Sequence, residues 1–134
     1  MKRIPGSGRS RALLPVAVAL TAVLAACDGP LFIQLRIAFE PPRPVFTLYW
    51  GSVVACSGLD AGNYDRVSWF EIETFPTGED LRARWNSPHD ITLRTDSKFD
   101  ELVVKHEILH DLLAGDRDHT HEAWQACGLD IGSD

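Results

Sequence analysis

The stretch from Ser97 to Gly115 constrains this chain more than any other. Phe99, Leu102, Val103, Ile108, Leu109, Leu112 and Leu113 fall at helical spacing. Ser97 is placed to cap the helix start, Asp100 and Glu101 put acid in its first turn, and Gly115 suits the position just past its end. His106 and His110 lie inside this stretch, four residues apart. Such residues stand one above the other on a helix, about 6 Å apart. Two imidazoles there converge on one metal ion at roughly 2.0–2.1 Å each. Glu107 follows His106 in the chain, so it can reach a water on that metal without ligating the ion itself. Zinc lowers the pKa of such a water towards about 7, and a carboxylate can then take its proton. The expectation is a zinc helix with His106 and His110 as ligands and Glu107 as the catalytic base.

His106-Glu107-Ile108-Leu109-His110 resembles the H-E-x-x-H motif of the zincin metallopeptidases. A catalytic zinc has three protein ligands and one open position, so a third ligand must come from elsewhere. His119 is the first candidate, because the turn at Gly115 can bring the chain back under the metal; His121 is the second and Asp116 the third. In the metzincins the motif continues to H-x-x-G-x-x-H or D, and Asp116 falls at that last position. Leu113 stands where that family has glycine, however, and no methionine follows Met1 to form a Met-turn. The run from His106 to Leu113, with His119 and Cys127-Gly128, is more similar to small uncharacterised bacterial zincin-like lipoproteins. That resemblance implies a histidine from the loop as third ligand. It also implies an α+β minimal-zincin-like domain, with about three strands packed on the active-site helix and a second helix.

Elsewhere the pattern is consistent with that class. Leu31, Ile33, Leu35, Ile37 and Phe39 alternate as a strand does, and Pro41, Pro42 and Pro44 end it. Phe46, Tyr49, Trp50, Val53 and Val54 predict a helix over 45–56, ending near Gly58. Strands are expected over 67–73, 81–85 and 90–95, the last offering an edge for an extended peptide by analogy with the fold. A polar loop over 116–121 and a short helix from about Glu122 to Cys127 close the domain. His89 is a candidate oxyanion stabiliser or a surface histidine. Asp111 is a candidate partner for a ligand imidazole, but reads more simply as a solvated helix residue. Tyr64 has no positional argument, and Trp50, Trp69, Trp85 and Trp124 read as core or groove aromatics.

The beginning of the chain reads as a targeting segment. Lys2, Arg3, Arg9 and Arg11 precede an uncharged run, Ala12 to Ala26, that is short for a membrane span. Leu24-Ala25-Ala26-Cys27 resembles a bacterial lipobox, which implies a signal over 1–26, lipidation at Cys27, a tether over 27–44 and the zincin-like domain over 45–134. Asp28 resembles an inner-membrane retention signal of some Gram-negative bacteria. Beyond the signal, nine basic residues face 19 acidic ones, a net charge of −10, which excludes a nucleic-acid partner and a polybasic membrane patch. Cys56 and Cys127 remain as an expected disulfide, in keeping with export. The function expected is a zinc-dependent hydrolase of the cell envelope, a metallopeptidase acting on a peptide or protein. The alternatives are a non-catalytic zinc-binding or structural lipoprotein and a metal-free interaction module.

Overall fold

The computed structural model describes residues 35–60, 62–76 and 80–130. The signal and lipidation readings at 1–27 lie outside these residues. The domain is α+β: a four-stranded sheet carries three helices. In chain order the elements are β1 (Ile37–Ala38), α1 (Arg43–Ser57), a turn of 3₁₀ helix (Tyr64–Arg66), β2 (Ser68–Ile72), β3 (Ala83–Asn86), β4 (Asp90–Arg94), α2 (Glu101–Leu113) and α3 (Ala123–Cys127). None of the described helices is long and apolar enough to cross a membrane.

The sheet order is β1-β2-β4-β3, with β2 parallel to β4 and the two outer pairs antiparallel. The sheet has four strands where about three were expected, β1 lying in the entry segment read as a strand. The strand expected over 90–95 is also not an edge: β4 is bonded to β2 on one side and β3 on the other. Ile91, Thr92 and Leu93 are buried in succession, as befits a central strand. The edge is β3.

α1 begins at Arg43, two residues earlier than the apolar spacing predicts. Pro44 sits in its first turn, where a missing N–H costs nothing and the ring's fixed φ suits the helix. Phe46, Trp50 and Val53 form its buried stripe, and Gly58 ends it in the left-handed conformation, its N–H on the Val54 carbonyl. Each such apolar side chain contributes on the order of 1.5–3 kcal/mol by burial. α2 is capped by Asp100, whose carboxylate accepts from the Leu102 and Val103 N–H groups, and not by Ser97. Ser97 instead donates its N–H to the Arg94 carbonyl in the turn leaving β4. Arg82 bonds the same Asp100 carboxylate at 2.6 Å and holds its carboxyl below the usual range.

One core joins α1, α2 and α3 to the inner sheet face through Phe46, Trp69, Ile91, Leu93, Ile108 and Trp124, among others. Cys56 and Cys127 are bonded, Cα–Cα 5.1 Å, tying the end of α1 to the end of α3.

Candidate metal centre

α2 ends abruptly, and the manner of its ending builds the site. Ala114 caps it in the left-handed region at φ 52°, Gly115 follows at φ 136°, and Asp116 and His119 also have positive φ, 61° and 50°. Three left-handed non-glycine residues within six positions are unusual and cost on the order of 1–3 kcal/mol each. The loop they shape is held by Asp116. Its carboxylate accepts from the His121 N–H at 2.9 Å, the Thr120 N–H and hydroxyl at 3.3 and 2.9 Å, and the Trp124 indole at 2.6 Å. Those bonds, the His121 N–H foremost, hold the Asp116 carboxyl far below the ordinary aspartate range. Asp116 thus organises the loop and is not one of the clustered ligands.

The loop returns His119 to α2. Nε2 of His110 lies 3.2 Å from Nε2 of His106 and 3.2 Å from Nε2 of His119. A tetrahedral centre with bonds of 2.0–2.1 Å has ligand–ligand edges of about 3.3–3.4 Å; these two pairs are close to that spacing, and all three histidines offer ligand atoms within 4.8 Å of one another. The far sides of two rings are fixed. Nδ1 of His106 bonds the Leu129 carbonyl at 3.0 Å, and Nδ1 of His110 bonds the Gly115 carbonyl at 2.8 Å. A carbonyl only accepts, so each Nδ1 carries the proton and each Nε2 its lone pair. Burial pushes the His110 imidazole towards its neutral, ligating form. Lone pairs brought this close repel unless a cation or proton lies between them. Trp124 is fully buried behind the rings, its centroid 4.8, 4.7 and 4.2 Å from those of His106, His110 and His119.

These three histidines can hold a metal ion, and they are the set of this kind among the described residues. His121 is outside it: the residue is exposed and its Nδ1 accepts from the Ala123 N–H. Glu107 is only 6 % exposed. Its carboxylate accepts the Trp85 backbone N–H from the edge strand, while Oε2 is buried without a hydrogen-bond partner. Burial pushes this carboxyl up to about 8, against the pull of the Trp85 N–H and the Arg84 charge. A cation beside it would pull it back down.

Asp111 corrects the sequence reading most sharply. Far from being solvated, it is 1 % exposed. Its Oδ2 accepts from Arg66 Nε and Nη2 at 3.2 and 3.0 Å, and its Oδ1 lies 3.0 Å from both Trp85 Nε1 and His89 Nδ1. Nor does it bond a clustered imidazole. It ties α2 to the edge strand and to the turn between β3 and β4, and so places His89. Tyr64 lines a separate open cleft of about 380 Å³ near the start of α1, with Arg43, Val67 and Trp69, and that cleft contains none of the clustered histidines.

Comparison of the chain with protein-family models, with curated proteins and with solved structures returned no match.

Proposed function

We propose that this chain is a zincin-like, zinc-dependent hydrolase, a peptidase of the cell envelope anchored through Cys27. The observation that carries the reading is the meeting of three imidazole Nε2 atoms beside a buried carboxylate with one unpartnered oxygen. Three imidazole nitrogens gathered this closely suit zinc. They also leave one coordination position, the arrangement of a catalytic rather than a closed structural site. Zinc held there supplies a Lewis acid that polarises a carbonyl and acidifies water.

The chain's own residues do the rest. The Trp85 N–H holds one side of the Glu107 carboxylate, so Oε2 is the oxygen placed to take a proton. As the water oxygen bonds to the carbonyl carbon, Glu107 receives a proton from it. Glu107 then delivers that proton to the amine nitrogen as the C–N bond breaks. An extended peptide adds along β3, which among the described residues pairs with β4 alone and whose Trp85 N–H reaches Glu107. His89 is held by Asp111 in the turn that follows that strand.

The test is hydrolysis of a peptide library by the zinc-loaded protein and by Glu107→Gln. The variant is expected to keep one zinc per chain and to lose roughly 10²–10⁴-fold in rate. Activity retained in Glu107→Gln, or none in the zinc-loaded wild type, overturns the proposal.

A further inference from the structure

Six large apolar side chains are exposed among the described residues: Leu35, Ile37, Val45, Leu48, Phe99 and Leu102. They are not scattered. Leu35 and Ile37 belong to β1 and its approach, Val45 and Leu48 to the first half of α1, Phe99 and Leu102 to the approach and first turn of α2. Side-chain contacts join these segments. Phe39 packs on Phe99 at 6.0 Å and on Phe46 at 6.1 Å. Lys98 lies over both Phe39 and Phe99 and pairs with Glu71, the cross-strand partner of Ile37. Lys105, one turn beyond Leu102, lies over Tyr49 beside Leu48. Both long helices therefore start at one end of the domain. The Cys56–Cys127 bond marks the opposite end, where α1 finishes near α3 and the histidine cluster.

We propose that this apolar end is a membrane-docking face that rests on the bilayer holding the Cys27 anchor. The proposal goes beyond the hydrolase reading and uses only its lipid anchor. Two observations select this occupant. Leu35, 75 % exposed, lies in the patch, and only seven residues separate it from Cys27 in the sequence. Eight extended steps reach at most about 29 Å, about one small-domain diameter, so an anchored domain stays within contact distance of the lipid by this end. The chemistry also fits. Leu48 at 73 % and Phe99 at 60 % exposure are side chains that enter the headgroup–acyl boundary. Lys98 and Lys105 already have acidic partners within the domain. With a net charge of −10 beyond the signal, attraction to anionic lipid is not the driving term. The contact is apolar and indifferent to salt and to lipid charge. The histidine cluster, about 12 Å further along α2 at His110 than at Leu102, then faces away from the membrane, towards substrates in the surrounding compartment.

The experiment uses the full chain made in a bacterial envelope, with a photoreactive benzophenone residue placed singly at Leu48, Phe99, Arg117 or Gln125. The last two are exposed positions at the other end. Intact Cys56–Cys127 pairing verifies the fold of each variant. Illumination is expected to give phospholipid adducts at 48 and 99 about tenfold above those at 117 and 125, unchanged in 0.5 M salt, where the Debye length is only about 4 Å. Equal adducts at both ends, none at 48 and 99, or adducts there to a second copy or to residues 1–34, overturn the proposal. Mass analysis of the Cys27 peptide in the same sample tests the anchor separately. Lipid adducts with an unacylated Cys27 remove the anchor and leave the docking face. An acylated Cys27 without adducts removes the docking face and leaves the anchor.

Discussion

Replacing Asp111 by Asn should destabilise this domain more than any other isosteric change near the metal centre. The asparagine keeps an oxygen for Trp85 Nε1 and His89 Nδ1 but turns an amide towards Arg66, whose Nε and Nη2 now bond Oδ2 at 3.2 and 3.0 Å. Two charge-assisted bonds are lost, each worth about 1.5–3 kcal/mol. Breaking a buried pair by removing one partner costs about 3–5 kcal/mol. The Asp111 side chain is fully buried, whereas that of Arg66 is 28 % exposed and can turn partly to water, which selects the lower end. We expect a loss of about 3 kcal/mol against a total of about 5–15. For a domain of this size that lowers Tm by roughly 12–24 °C. The assay is thermal unfolding by circular dichroism of Asp111→Asn, Arg66→Met and the double variant. On the Arg66→Met background, Asp111→Asn should cost under about 1 kcal/mol, since the interaction it removes is already absent. A Tm shift below about 4 °C in the single variant, or an undiminished loss in the double, would refute the reasoning.

Three further outcomes follow from the same geometry. Replacing Cys56 and Cys127 by serine opens a closure of 71 residues, for which the chain-entropy model gives about 4 kcal/mol. Because α3 carries Trp124 and leads to Leu129, zinc should also bind about tenfold more weakly in a chelator competition. Equal affinity would show that α3 holds its place without the bond. His119→Ala should weaken zinc about 10²-fold or more, whereas His121→Ala should stay within about threefold; the reverse order would put the wrong histidine on the metal. The Asp116 carboxyl has a folded pKa below its unfolded value of about 3.9. Its stabilisation is therefore complete above about pH 5 and is lost progressively as the pH falls from the unfolded value to the lower folded one. The side-chain carboxyl carbon resonance of Asp116 should accordingly keep its ionised position from pH 7 to about pH 4. A transition centred on the ordinary aspartate value would contradict this.

How much could be read from the residues depended on the range of the interactions. Periodicity exposed α1, the last strands, α2 and the short closing helix, because a buried stripe such as Phe46, Trp50 and Val53 is a local pattern. The expectation of export and the pair of cysteines left after Cys27 pointed to Cys56–Cys127. The parallel pairing of β2 with β4 was not legible, because β3 intervenes in the chain and pairs on the far side. That left the strand at 90–95 in the guise of an edge. Asp111 looked solvated because its partners lie 45, 26 and 22 residues away, at Arg66, Trp85 and His89. Asp116 matched a ligand position in a known motif. Its bonds to Thr120, His121 and Trp124 depend on left-handed residues at Ala114, Asp116 and His119, which no glycine announces. Ser97 looked like the cap and Asp100 like first-turn acid; the turn leaving β4 takes up Ser97 and leaves the cap to Asp100.

X-ray absorption at the zinc edge, on protein loaded with one equivalent of zinc, addresses the central claim most directly. The account predicts three imidazole nitrogens and one light, non-protein oxygen at about 2.0–2.1 Å, with the imidazole count falling to two in His119→Ala. Four imidazoles, which would require recruitment of a further histidine, would make this a closed structural site and favour a non-catalytic envelope protein. Failure to bind a stoichiometric ion would contradict the metal centre itself.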